Sequence, residues 1–250
     1  VAEIYSKEMI ENNQMVLEDW AREAFQSFQN MIADDENTYP CVPGRIGFLS
    51  NHLRYAFLGD PREEKTLLDA ADVLKRYSQM SRETGKYASL LLFYKSPAEL
   101  QRYSIEEFED LFWSTLTSLS MKDQMPWPEG ISKDPTHHTW EFCFHGEPYF
   151  SFCATPAHHL RRSRHFSSFL MAFQPRWVFE QMNDSTQLGR NMKKMIRKRL
   201  ASYDEAPTHP ALKWYGQEDN HEWMQYFLRE DESSPSKCPF HNMMNANKKS

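Results

Sequence analysis

The sequence lacks most of the signatures that declare a function outright. Its four cysteines show no CxxC spacing, so neither a zinc site nor a disulfide framework organises the chain. No apolar run approaches the roughly 20 residues that cross a bilayer, and no signal-peptide pattern opens the chain. A reducing cytoplasm and no membrane partner are therefore expected. Positive charge is not in excess either: 29 Lys and Arg stand against 35 Asp and Glu, a balance of −6. Nucleic-acid binders usually carry a strongly basic balance, so no nucleic-acid partner is expected. Gly-rich phosphate loops, GxSxG and HExxH are all absent, which leaves kinase, serine-hydrolase and zinc-protease readings without support.

What is present suits one sizeable core. Hydrophobic residues make up 40% and aromatics 14% of 250 residues, enough for one large domain and little for two. Residues 1–33 carry a helical stripe of Leu17, Trp20, Ala24, Phe28 and Ile32. Ile46–Leu49 and Leu53–Leu58 read as a short hairpin through Ser50-Asn51. Asp60-Pro61-Arg62-Glu63 opens a helix that runs to about Arg82, and Gly85 closes it. Tyr87–Tyr94 has the length and polarity of a buried strand, and Ser104-Ile105-Glu106-Glu107 is a capping box. Helices are further expected over 185–200, with a run of basic residues, and over 220–230. The expected fold is a single α+β domain, an antiparallel or mixed sheet of about five strands flanked by helices. It divides into an N-terminal helical segment (1–38), a core (39–230) and a polar tail (231–250) that carries Cys238-Pro239-Phe240.

Residues 137–174 hold the most chemistry. Trp140, Phe142 and Phe144 alternate with Glu141, Cys143 and His145, the period of a half-buried strand. Gly146 and Pro148 turn the chain, and Tyr149–Ala154 returns as the second strand of a hairpin, ending at Thr155-Pro156. Six histidines fall between 137 and 165, and Arg161, Arg162 and Arg164 follow the second strand closely. A neutral imidazole is a common ligand of haem iron. Cys41 and Cys238, each in a turn, are the competing thiolate donors. The arginines form a fork for carboxylates, or else a solvated loop. Glu141, among aromatic neighbours, needs a cationic partner, which a substrate or an internal arginine would supply equally well.

Tyr39-Pro40-Cys41, Phe142-x-Phe144-x-Gly146-Glu147-Pro148-Tyr149-Phe150, Thr155-Pro156-Ala157-His158 with its arginines, Phe173-Gln174-Pro175 and Cys238-Pro239-Phe240 together resemble the YqcI/YcgG-like proteins. That family includes haem-dependent N-hydroxylases of guanidino compounds. The resemblance, over roughly 39–240, implies haem b and insertion of one oxygen into a guanidino N–H of arginine or a related compound. Dioxygen with an electron-donor protein, or hydrogen peroxide, would be the oxidant. It implies His158 as axial ligand, with His159 beside it, and Arg161 and Arg164 as partners of the haem carboxylates. Glu141 or Glu147 would receive the guanidinium as catalytic carboxylates, and Arg45 or Arg164 the substrate carboxylate. A haem carrier or gas sensor without turnover is the alternative.

Overall fold

The computed structural model describes residues 2–12, 16–180, 185–213 and 218–240. Five strands form one mixed sheet in the order β1 (Leu53–Leu58), β2 (Ser89–Tyr94), β5 (Leu170–Pro175), β4 (Glu147–Ala154), β3 (Phe142–Phe144). The first two strands are parallel, and α4 (Glu64–Met80) makes the crossover that a parallel pair requires. The other neighbours are antiparallel. The β3–β4 connection is a two-residue turn, Phe144 pairing with Glu147. His145 and Gly146 both have positive φ (52° and 76°), which matches the strand twist of a tight hairpin.

Helices cover both faces. α4 and α5 (Ile105–Lys122) lie over one face and share its core with the strands. The capping box is formed as expected: the Ser104 hydroxyl accepts from Glu107 N, and the Glu107 carboxylate accepts from Ser104 N. The opposite face packs against α2 (Asp19–Ala33) through Ala24, Phe25, Phe28 and Ile32. Before it, α1 (Lys7–Glu11) is a separate short helix, so the N-terminal stripe is not one continuous helix.

Ile46–Leu49 is helical, which corrects the expected hairpin. These residues end α3 (Val42–Leu49), with the Cys41 thiol as N-cap accepting from Gly44 N at 3.3 Å and Pro43 in the first turn. Proline is tolerated there because no helical partner awaits its missing N–H. Gly47 lets this helix lie against the entry to β2: a Cβ on it would meet Tyr87 O at 2.8 Å. α6 (Gln187–Tyr203) packs on α3 through a small cluster of Val42, Val178 and Met192. No helix among the described residues is long and apolar enough to cross a membrane.

Candidate active site

β3 covers β4 only as far as Tyr149. Alongside the remainder of β4 lies the segment 222–230. The Tyr226 hydroxyl donates to Tyr149 O at 2.8 Å and accepts from Phe142 N at 3.1 Å. This segment also closes the basic loop that follows β4. Three successive backbone N–H groups, of His159, Leu160 and Arg161, donate to the Glu230 carboxylate, the arrangement of an anion-binding nest. Thr155 and His165 bridge the base of the loop.

The loop histidine is part of that closure. His158 is 0% exposed. Its Nδ1 pairs with the Thr155 hydroxyl at 2.9 Å and its Nε2 with Leu228 O at 2.9 Å. Burial pushes its pKa down to about 4, against the hydrogen bond to Leu228 O. Both nitrogens are engaged, so His158 as placed has no lone pair for a metal, a correction to the axial-ligand reading. His159 is exposed. Arg161 is 1% exposed, and its guanidinium donates to Arg229 O, Pro207 O and Asp231 O. It therefore ties main chain to main chain and is not a fork for a haem carboxylate. The loop does hold a carboxylate, that of Glu230, but it does so through backbone N–H groups and not through the arginine fork that its composition suggested.

Three further sequence candidates also part company. Arg45 sits at the surface end of α2, donating to Ile32 O and Asp34 O and pairing with Asp35. Glu147, at the hairpin turn, faces Arg82 at 3.5 Å; burial first, with Glu180 adding to it, raises its pKa. Neither is brought to the histidine loop or to Glu141. Cys238 is buried with Phe240 in the core under α5.

Two candidates remain on one continuous surface. Arg164 places its guanidinium 4.5 Å over the Phe152 ring, and its one described hydrogen bond is a long one, to Gln225 O at 3.4 Å. Burial lowers its pKa, against Tyr39, Cys153 and Asp204 nearby. Phe152 neighbours Phe150 at 6.2 Å, Phe150 meets Phe179 at 5.9 Å, and Arg176 lies 5.5 Å over Phe179. Phe150 and Phe152 are only half-buried although β4 is an interior strand. At the far end Arg176 bridges two buried carboxylates, Glu141 at 2.6 Å and Glu222. The arrangement is an aromatic floor with an under-used cation at one end and an acidic pair at the other.

The acidic end is unbalanced. Among the described residues two carboxylates face one guanidinium, and Glu141 Oε1 is buried with no partner. The buried indole nitrogens of Trp140 and Trp223 and His221 Nδ1 are also unpartnered among the described residues. His221 stacks obliquely on Trp223, 6.4 Å away. Buried polar groups are seldom left unpaired in folded proteins, and a cluster of them marks a place for water or ligand. Burial, and the charge of Glu141 beside it, raise the Glu222 pKa, against Arg176. Sequence reading missed Arg176 and Glu222: Glu222 lies in a segment that gave only a helix signal, Arg176 follows Pro175 in no motif of its own, and only folding brings them to Glu141.

Residues 28–241 match the YqcI/YcgG family. The chain belongs to that family. It is 53% identical to YqcI of Bacillus subtilis (strain 168), over 100% of this chain and 98% of the relative. YcgG of the same strain is likewise 53% identical, over 97% and 96%. DcsA of Streptomyces lavendulae, provisionally named an N(omega)-hydroxy-L-arginine synthase, is 34% identical over 96% of this chain and 89% of its own. No solved structure matches.

Proposed function

We propose that this YqcI/YcgG-family chain N-hydroxylates the guanidino group of arginine or a close relative, with haem b as the oxygen-activating cofactor. The observation that carries the substrate class is the orphaned Glu141 oxygen in a doubly acidic, singly basic buried site, together with the name given to DcsA. A buried carboxylate oxygen without a partner costs roughly 1–3 kcal/mol, more when charged, and a guanidinium would supply its missing donors. Arg164, at the other end of the floor, suits a carboxylate of the substrate or of the cofactor.

Phe150, Phe152 and Phe179 would offer a haem apolar contact and Arg164 a partner for its carboxylates, but the rings are inclined by 45° and 73° and present no flat face; His158 does not fit as its ligand. When bound, the haem would supply the oxidising power for insertion into the N–H bond. The chain's own contribution is positioning. Glu141 would hold the guanidinium by charge-assisted hydrogen bonds, and Arg176 would keep Glu141 and Glu222 in place. Glu222, with its raised pKa, would hold a proton at its carboxyl and so limit the repulsion between the pair.

The test is product mass. Haem-loaded protein given arginine and either peroxide or a reducing system with dioxygen should yield a product about 16 mass units heavier, one oxygen atom. Glu141→Gln should abolish most turnover while haem uptake, read from the Soret band, stays intact. Haem uptake with no oxygenated product from arginine, agmatine or cyclic guanidines would overturn hydroxylation and leave a carrier or sensor. No uptake of haemin would overturn the cofactor.

A further inference from the structure

The most uneven distribution of charge in the molecule is on α6. Its 17 residues include Arg190, Lys193, Lys194, Arg197, Lys198 and Arg199 and no acid. The remaining residues then hold 23 cations against 35 acids, a balance of −12. A helix about 25 Å long is thus a basic ridge on an otherwise acidic protein.

The side chains are sorted around the helix. Gly189, Met192 and Tyr203 are buried, and Ile196 packs with Met192 against α3. At 100° per residue, Arg190, Lys194, Arg197 and Lys198 lie on the opposite side, and all four are exposed. Leu188 and Met195, seven residues apart, share one flank and are 49% and 45% exposed. The outward face therefore combines cations with a bordering pair of bare apolar side chains. Its inward face rests on α3 and on the cluster that holds Val178, next to Phe179 of the aromatic floor. One helix diameter, about 10 Å, separates the basic ridge from that side of the candidate site.

We infer that the outward face of α6 is a docking surface for a small acidic electron-transfer protein of the flavodoxin or ferredoxin class. The redox role rests on the function proposed above. Insertion of one oxygen atom from dioxygen into an N–H bond, with the other leaving as water, takes two electrons and two protons. The donor supplies the electrons, its reduced flavin or iron–sulfur centre being oxidised in turn. Charge complementarity favours such a partner: a compact protein with a local acidic patch matches a ridge one helix long, whereas an extended polyanion would also meet a chain whose remaining balance is −12.

Binding can be tested apart from turnover. The full chain is titrated with an FMN flavodoxin and with a plant-type ferredoxin, and in parallel with a short DNA duplex and phosphatidylglycerol vesicles. At about 50 mM salt one of the two acidic proteins should bind, and raising salt to about 300 mM should weaken it about tenfold or more. The double variant Lys194→Glu/Lys198→Glu should weaken it at least about tenfold with an unchanged melting temperature. Reversal of Lys65 and Lys95, on a different face, should leave it unaltered. Met195→Asn, which keeps every charge, should weaken binding by several-fold through the apolar flank. The inference is overturned if neither acidic protein binds, if the α6 reversal has no more effect than the control, or if DNA or vesicles bind more tightly. A surface that binds the donor in a protein that hydroxylates nothing would overturn only the redox role, since the titration requires neither haem nor substrate.

Discussion

At the scale of single residues, composition identified the chemistry more reliably than the partner. The arginine-rich loop read as a guanidinium fork for carboxylates, yet it holds Glu230, some seventy residues away, through backbone N–H groups, and the Arg161 guanidinium serves carbonyls instead. His158 was legible as a fixed histidine, yet it is fixed by hydrogen bonds on both nitrogens. Sequence shows which groups can donate and accept; it does not show which are already engaged. A pH dependence follows for His158. Its folded-state pKa, near 4, lies below the ordinary 6.5, so the native state binds its proton less readily than the unfolded chain. The stability this gives is complete above about pH 6.5 and is lost as pH falls toward 4, by on the order of 3 kcal/mol at most. His158→Gln should lower the urea midpoint at pH 7 but flatten its decline between pH 6.5 and 4.5. An equal decline in both proteins would assign the acid sensitivity elsewhere. Glu222 works with the opposite sign. Its raised pKa makes its contribution full below the ordinary carboxyl range and progressively lost as pH rises above it. Glu222→Gln should therefore become less destabilising, relative to the parent protein, as pH rises from about 5 to 8.

At the scale of elements, those with local punctuation were legible and those decided by distant partners were not. The capping box at Ser104 is written within four residues and formed as read; the hairpin also formed, but its turn is His145-Gly146, with Glu147 and Pro148 already paired in β4 and not in the turn. Ser104→Ala should cost about 1 kcal/mol, with Ser104→Asp restoring most of it, as measured by urea denaturation. Residues 220–230 carried a helical pattern, but only Glu222–Gln225 takes up a short 3-10 turn. The carbonyls of Gln225, Leu228 and Arg229 accept from Arg164, His158 and Arg161. Backbone groups given to another loop have no need of a helical ladder. The hairpin expected at 46–58 failed for a related reason. Cys41 caps a helix through its thiol, a role that serine or asparagine would have announced and cysteine did not.

At the scale of the whole molecule, the class of fold was legible and the order of strands was not. A sheet of about five strands follows from periodicity, although Ile46–Leu49, read as a strand, is helical, and the placement of β5 between β2 and β4 depends on which apolar faces meet. The same holds for the tail. Cys238-Pro239-Phe240 belongs to a tail that read as polar, and its place is under the candidate site: Phe240 packs on Trp140 at 5.3 Å and Phe142 at 6.4 Å. Trp140 directly precedes Glu141, so the far end of the described chain braces the residue proposed to hold the guanidinium. Phe240→Ala should cost about 3–5 kcal/mol, since a large ring is removed from a packed core, and Phe240→Leu distinctly less. If the brace matters to the site, Phe240→Leu, still folded, should raise KM for arginine more than it lowers kcat, because ground-state positioning of the guanidinium is what it disturbs. A Phe240→Leu protein with reduced stability and unchanged KM would confine the tail to holding the fold together.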